Sequence, residues 1–381
     1  MNVPAGKAPL PVVAPPRTIL IMAGGTGGHI YPALAVAEAL SAKGWHIVWL
    51  GTESGMESRL VPQKGYPMET IRFSGVRGKG LKRWVMMPAQ LLIAFAQSIA
   101  VLMRVRPDVV LGMGGFAAFP GGLMAVLLAK PLVIHEQNSV AGLTNRLLAR
   151  LADRVLTGFP NPFGGKIKHT LVGNPVRADI AALVPPEQRF VGRTGRLRLL
   201  VVGGSLGAMA LNETLPLALA LLPENERPEV LHQSGAKQLE SLRANYEKAG
   251  VKADTRAYID DMAQMYAWCD LVVCRAGALT LSEIAAAGVA SVLVPYPHAV
   301  DDHQTHNARF LSENSAAVLL PQSELNAEKL ADLLKNLSRE ILLTMAQTAR
   351  KSAKPDATQD VARACGELAS GNRKVNGLQP E

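Results

Sequence analysis

Six residues near the start of the chain, Gly24-Gly25-Thr26-Gly27-Gly28-His29, combine backbone freedom with a titratable imidazole. They follow the apolar run Thr18–Ala23 and precede a helix-like run, Tyr31–Leu40, so the local order is strand, glycine turn, helix. Such a turn presents backbone N–H groups at a helix N-terminus, where they attract phosphate or other oxygen-rich ligands. His29 stands where that helix begins, placed for acid–base work on a phosphate-bearing or sugar-like substrate. The loop is not a dinucleotide fingerprint. A G-x-G-x-x-G frame opened at Gly25 puts Ile30 at the third glycine, although Glu53 falls where a ribose-binding acid would lie.

Other polar clusters follow apolar runs in the same way. Gly112 to Gly122 is a second glycine loop, after the strand Val109–Leu111; the alternative for each glycine is tight helix–strand packing. His135-Glu136-Gln137-Asn138 follows Leu132–Ile134 and suits sugar hydroxyls, or else a helix cap by Asn138. Gly203-Gly204-Ser205-Leu206-Gly207-Ala208 follows Leu197–Val202 and precedes a helix from about Met209, so Ser205 and nearby amides suit a diphosphate. Arg275 to Glu283 follows Leu271–Val273. There Thr280 and Glu283 read either as a capping box or, for Glu283, as a carboxylate for ribose hydroxyls. Asp301-Asp302-His303 has the residue types of a metal site, but three adjacent residues rarely converge on one ion, and a hydrogen-bonding loop carrying Gln304 is preferred. Asp260-Asp261 reads as a helix start before Met262.

These loops need elements to hold them. The strand–glycine–helix opening occurs twice, which predicts two Rossmann-like α/β halves with parallel sheets, joined near Gly173-Asn174-Pro175-Val176-Arg177. Further strands are predicted at 45–50, 154–157, 229–232, 254–258 and 290–294. A long helix, about 340–368, is expected to return to the first domain. Val85 to Met103 has the length of a membrane span, but Pro88, Gln90, Gln97 and Ser98 interrupt it, and a buried or surface-seeking helix is expected.

The 381 residues suit two domains, and with 48% hydrophobic and 19% charged residues wholesale disorder is excluded. Cys269, Cys274 and Cys365 show no paired spacing, which argues against a disulfide framework or zinc site and for a reducing compartment. Residues 1–16 read as a disordered lead-in rather than a signal peptide, and 371–381 as a loose tail. The net charge of +9 fits an anionic partner; with only 5% aromatics and no RNA-binding signature, a membrane surface or phosphorylated substrate outweighs nucleic acid. The segment Val76 to Met87 mixes Arg77, Lys79, Lys82 and Arg83 with Leu81, Trp84, Val85 and Met86, a combination suited to an anionic membrane interface, the plainer alternative being a solvated basic loop.

Taken together, Gly24–His29, Gly112–Gly122, His135–Asn138, Gly173–Arg177, Gly203–Ala208, His232–Gly235 and Arg275–Glu283 resemble the MurG family of bacterial glycosyltransferases, from about Arg17 to past Gln304. The resemblance implies a GT-B fold, two Rossmann-like parallel-sheet domains with an interdomain cleft. It implies a lead-in at 1–16, an acceptor- and membrane-facing domain at 17–175 completed by a helix at about 352–370, and a donor-binding domain at 176–351. The implied reaction transfers GlcNAc from UDP-GlcNAc to the 4-hydroxyl of MurNAc in undecaprenyl-pyrophosphoryl-MurNAc-pentapeptide (lipid I), with inversion, giving lipid II. Implied donor contacts are Thr26, Gly27, Gly28, Asn138, Arg177, Ser205, Ile259, Ala278, Leu279, Thr280, Leu281, Ser282, Glu283 and Gln304. Gly114, Gly115, Lys79, Leu81, Lys82, Arg83 and Trp84 are implied to face the acceptor and the membrane. No cofactor or metal is implied. The implied location is peripheral, on the cytoplasmic face of the inner membrane, with other cell-wall synthesis proteins as further partners.

Within that frame His29 is the expected base, since the positive end of a helix disfavours imidazolium and a neutral imidazole can take a proton. Its rival role is to hold a phosphate. Amides near Ser205, with Arg177 or Arg275, are expected to stabilise departing UDP. A UDP-GlcNAc 2-epimerase, a nicotinamide dehydrogenase and a nucleotide-sugar sensor are the competing readings. The basic–Trp segment, Ile30 and the intact His29 argue against them in turn.

Overall fold

The computed structural model describes residues 16–73, 81–204 and 207–371, with 81–85 and 300 described by backbone alone. The expected lead-in apart from Pro16, the tail beyond Gly371, Lys79 and Ser205 lie outside the described residues, as do the side chains of Leu81, Lys82, Arg83 and Trp84.

Two parallel sheets form, as the repeated strand–glycine–helix opening predicts. The first has strands β1 (Thr18–Ala23), β2 (His46–Thr52), β3 (Met68–Ile71), β4 (Val109–Gly114), β5 (Leu132–Glu136), β6 (Arg154–Thr157) and β7 (Thr170–Leu171), in the order β3-β2-β1-β4-β5-β6-β7. The second has β8 (Arg198–Val202), β9 (Glu229–Gln233), β10 (Asp254–Arg256), β11 (Leu271–Cys274), β12 (Ala290–Leu293) and β13 (Ala317–Leu319), in the order β10-β9-β8-β11-β12-β13. The central strands are apolar along their whole length, as in Ile19-Leu20-Ile21-Met22-Ala23, because helices cover both faces and every residue of the run is buried. In each sheet the strand order reverses beside the first strand, β1 against β4 and β8 against β11. A crevice therefore opens beyond the C-terminal ends of those pairs, where ligands bind in open α/β sheets.

The helices used below are α1 (Gly27–Ser41), α2 (Leu81–Val105), α3 (Ala118–Leu127), α4 (Leu143–Leu148), α5 (Met209–Ala220), α6 (Met262–Trp268), α7 (Ala278–Ala287), α8 (His303–Ser312), α9 (Arg339–Lys351) and α10 (Ala357–Ala369). Several differ from the sequence reading. Helix α1 starts at Gly27 rather than Tyr31, so Gly27, Gly28 and His29 form its first turn. Strand β4 runs on to Gly114 and β5 to Glu136, which makes His135 and Glu136 strand residues rather than loop residues. Strands β3, β7 and β13 are short and carry little alternation, so the sequence does not announce them. The single helix expected over 340–368 is two helices. Lys354-Pro355 lies between them, and a residue preceding proline is pushed out of the helical region.

The second of those helices, α10, packs on the first sheet. Val361, Ala362, Ala364, Cys365 and Leu368 join the core formed by α1 and strands β1, β2 and β4. Arg154 pairs with Glu367 at 2.6 Å, and Lys43 Nζ donates to Gln359 Oε1 at 2.9 Å across the same contact.

Helix α2 lies against α3 with a buried stripe of Ala94, Ser98, Val101 and Leu102. Its stretch Met86–Val105 is long enough to span a bilayer, with mean hydropathy 1.7. One face is nevertheless committed to the domain core, and Leu92, Ile93, Ile99 and Met103 stand exposed on the other. Phe116, Leu127, Leu143, Leu147 and Leu151, on or beside α3 and α4, are also exposed.

Leu368→Ala empties a buried site where α10 meets the first sheet. It is expected to cost about 2–5 kcal/mol, read as a lowered urea midpoint by tryptophan fluorescence.

Candidate active site

The first glycine loop is short. Gly25 adopts φ +88°, a left-handed conformation open to glycine, and Thr26 takes the extended N-cap position of α1 without a side-chain cap. No acidic residue occupies the first turn, so the initial N–H groups of α1 meet no carboxylate of their own helix. Beneath the loop lies Glu57, a buried carboxylate for which the sequence offers no motif. Its Oε2 accepts from Gly25 N at 3.0 Å, and its Oε1 accepts from Thr52 N and Thr52 Oγ1 at 3.0 and 2.8 Å. Glu53, the acid considered for ribose, lies beyond the end of β2 and is exposed.

The second glycine loop meets the first. Gly114 and Gly115 have φ of +108° and +91°. A Cβ on Gly115 would lie 2.4 Å from Gly24 O, and one on Gly114 would lie 2.9 Å from His29 Cε1. Only hydrogen fits at either position. The remaining glycines serve packing: a Cβ on Gly112 would strike Ile134 and one on Gly121 would strike Met22, at 2.7 and 2.5 Å.

His29 is half-buried, and Gln137 Oε1 lies 2.7 Å from its Nδ1. Gln137 continues inward, its Nε2 lying 3.0 Å from His135 Nδ1 and 2.9 Å from His135 O. His135 Nε2 in turn lies 2.9 Å from Gly173 O. His135, Glu136 and Gln137 are all buried, so the cluster expected at the sheet edge exposes only Asn138 in part. Glu136 organises the turn: Oε1 accepts from Asn138 N at 2.9 Å, and Oε2 accepts from Asn145 Nδ2 at 2.9 Å and Gly142 N at 3.2 Å. Asn138 thus caps no helix; its Oδ1 accepts from Asn307 Nδ2 of α8 at 3.3 Å.

Asn307 is another residue the sequence did not single out. It is buried, and its Oδ1 accepts from Ser139 N and Ser139 Oγ at 2.9 and 2.7 Å. The two halves also meet where Asn174 Nδ2 donates to Ser282 Oγ at 3.0 Å, where Arg146 pairs with Asp301 at 2.8 Å, and where the hydroxyls of Tyr31 and Tyr258 lie 3.4 Å apart. Asp301 is therefore spent on Arg146, and Asp302 Oδ1 accepts from Thr305 Oγ1 at 2.7 Å. No group of three or more His, Cys, Asp or Glu converges as a metal site among the described residues.

On the opposite wall, Gly204 and Gly207 have positive φ, and a Cβ on Gly207 would lie 2.3 Å from Ser234 O. Helix α7 begins at Ala278 with Gly277 as an extended N-cap and no side-chain cap. Thr280 and Glu283 are thus inside the helix, and the capping-box reading fails because Gly277 already occupies that position. Glu283 is buried instead between Arg177, at 3.2 Å from its Oε1, and Tyr266, whose hydroxyl donates to Oε2 at 3.2 Å. Desolvation raises its carboxyl above the usual range, against the pull of Arg177. Ala278 and Leu281 are buried, while Leu279, Thr280 and Ser282 are partly open. Ile259 is buried, its N–H donating to Gln233 Oε1 at 3.2 Å. Gln304 sits in the first turn of α8 and accepts from Tyr296 N at 2.9 Å. Arg275 Nη1 donates to Val294 O and Pro295 O at 3.1 and 3.2 Å, and its guanidinium lies 5.5 Å from the Tyr296 ring centre. Asp261 caps α6 through Gln264 N at 2.8 Å, as the sequence predicts.

Two parallel-sheet domains, a glycine loop bearing an imidazole on one wall and an uncapped helix start beside a buried carboxylate on the other define a nucleotide-sugar glycosyltransferase of the GT-B type. The chain belongs to glycosyltransferase family 28: residues 19–157 match the model of that family's N-terminal domain and 198–361 its C-terminal domain. It is 61% identical over 352 residues to a protein of Nitrosospira multiformis, covering 92% of this chain and 99% of the relative. It is 60% identical over 353 residues to one of Ralstonia nicotianae, covering 92% and 96%. Both relatives are called UDP-N-acetylglucosamine--N-acetylmuramyl-(pentapeptide) pyrophosphoryl-undecaprenol N-acetylglucosamine transferase. Among solved structures, Acinetobacter baumannii MurG superposes with a TM-score of 0.81 at 42% identity, covering 92% of this chain and 100% of that one.

Burial also sets an acid limit on stability. Desolvation pushes His135 down to about 4 and His232 down to about 3. His232 is held between Tyr246 Oη and Asn212 Oδ1, each at 3.0 Å. Below the ordinary histidine value the unfolded chain binds protons that the folded chain refuses, so stability falls as pH drops from about 6.5 toward about 4. His232→Asn is expected to flatten that slope by about 1.4 kcal/mol per pH unit, measured by urea unfolding at about pH 6 and about pH 4.5.

Proposed function

We propose that this chain transfers GlcNAc from UDP-GlcNAc to the 4-hydroxyl of MurNAc in lipid I, with inversion at the anomeric carbon, and releases lipid II and UDP. The observation that carries the reading is His29 at the meeting point of the two glycine loops. It is supported by 61% identity to a relative bearing the name of that transferase.

The chemistry divides between the walls. The acceptor oxygen attacks the anomeric carbon, its proton passes to His29, and the bond to UDP breaks with its electron pair leaving on the diphosphate. Thr26, Gly27, Gly28 and Asn138 meet the donor sugar from the first domain. Ser205 and the N–H groups around it, together with Arg177, offset the charge that develops on the diphosphate. Arg275 is the alternative to Arg177; Glu283 holds Arg177 Nη2, and two backbone carbonyls hold Arg275 Nη1. Glu283 accepts from the ribose hydroxyls. Ile259, Ala278, Leu279, Thr280, Leu281 and Ser282 form the nucleoside wall, and Gln304 meets sugar hydroxyls. Gly114 and Gly115 border the acceptor. His29→Ala is expected to lower kcat by about 10²–10⁴-fold while UDP-GlcNAc still binds. The measurement follows labelled GlcNAc from UDP-GlcNAc into the lipid I fraction; near-normal turnover would remove His29 from the base role.

The acceptor is lipid-borne, so the enzyme works at a surface. The basic segment with Lys79, Leu81, Lys82, Arg83 and Trp84 lies against the anionic cytoplasmic face of the inner membrane as a peripheral contact, where other cell-wall synthesis proteins are further partners. The exposed Leu92, Ile93, Ile99 and Met103 of α2 extend that contact. The double change Leu92→Glu and Ile93→Glu is expected to reduce co-sedimentation with phosphatidylglycerol-containing vesicles by roughly tenfold or more, with UDP-GlcNAc binding unchanged. Undiminished sedimentation would exclude that face.

A further inference from the structure

We propose that Gln137 and His135 are positioning residues that hold the neutral ring of His29 in one tautomer, with its proton on Nδ1, so that the lone pair of that neutral ring lies on Nε2. The role of that lone pair rests on the reading of His29 as base; the tautomer does not.

Two backbone carbonyls fix the chain of hydrogen bonds from its inner end. Gly173 O can only accept, so His135 Nε2, 2.9 Å away, carries a proton and donates it. His135 is completely buried, and desolvation keeps its ring neutral, so its Nδ1 has no proton and must accept. The nearer end of the Gln137 amide faces two acceptors, His135 Nδ1 at 3.0 Å and His135 O at 2.9 Å. That end is the NH2 group. Turned over, the amide would set its oxygen against a carbonyl and a lone pair, replacing two hydrogen bonds by two repulsions. The amide oxygen therefore faces His29 Nδ1 at 2.7 Å. An amide oxygen cannot donate, so His29 Nδ1–H must. The ring packs against Gly114, its Cε1 lying 2.9 Å from where a Cβ on that residue would stand.

The consequence for transfer is specific. Nε2 takes the hydroxyl proton while the Nδ1–H···Oε1 bond persists, so no neighbouring dipole has to turn as the proton moves. A neutral amide in this position orients the imidazole without adding the charge of a carboxylate.

Long-range ¹H–¹⁵N correlation spectra of the full-length enzyme labelled with ¹⁵N-histidine read the tautomer directly, with His29→Ala and His135→Gln assigning the signals. With the pH raised until His29 is neutral, the expected spectrum shows Nδ1 of His29 and Nε2 of His135 protonated, and the other nitrogen of each bare. Gln137→Leu is expected to shift the His29 signals toward a mixture and lower kcat roughly tenfold, with KM for UDP-GlcNAc within about twofold. A bare Nδ1 on His29 in the unaltered enzyme overturns the inference with no variant needed. Unchanged His29 signals in Gln137→Leu remove Gln137 from the role. Should His29→Ala keep normal turnover while the tautomer is as stated, the base reading fails and the tautomer assignment stands.

Discussion

Two glycine loops touch backbone to backbone, and the active site depends on that contact. Gly115 lies so close to the Gly24 carbonyl, and Gly114 so close to the His29 ring, that a methyl group at either place would push the loops apart. Close approach of this kind is available only to glycine at positive φ. Parallel topology supplies the rest. Because β1 and β4 are neighbours running the same way, the turns that follow them emerge at one edge, and the imidazole on α1 is pressed onto the end of β4.

Behind that contact stands a shell of buried polar groups, each with its partners. Glu57 holds the first loop, Glu136 the turn after β5, and Asn307 reaches across from the second domain to Ser139 and Asn138. A buried carboxylate is tolerated when N–H groups converge on it, and both glutamates meet that condition. Burial also makes the fold sensitive to acid, because His135 in the first domain and His232 in the second are held as neutral rings in places that exclude their charged forms.

Much of this was legible in the sequence. Glycine turns between apolar runs and helical runs announce two Rossmann-like halves; the first of them points to His29, and polar residues after other apolar runs point to Asn138 and Glu283. What could not be read was partnership over long sequence distance. Glu57 sits in a short helix with no motif around it, and its role appears only when it folds beneath Gly25. Asn307 looks like any polar residue on α8 until Ser139 is brought to it. Strand ends are hidden for a related reason: Gly112 to Gly114 and His135-Glu136 have the composition of loops, but pairing with neighbouring strands extends β4 and β5 through them. The break after α9 is written in Pro355, between two stretches of helical sequence.

The return of α10 to the first sheet means that the chain leaves that domain and comes back to it. The outgoing and returning segments lie side by side, since a Cβ on Gly173 would fall 2.3 Å from Lys354 Cβ. The second domain is thus a closed loop of chain whose two ends are pinned together by the folded first domain. Pinning removes conformations from the unfolded second domain without adding a contact inside it, as a covalent cross-link between those two points would. Part of the stability of the second domain accordingly resides in the first, and is released when α10 comes away.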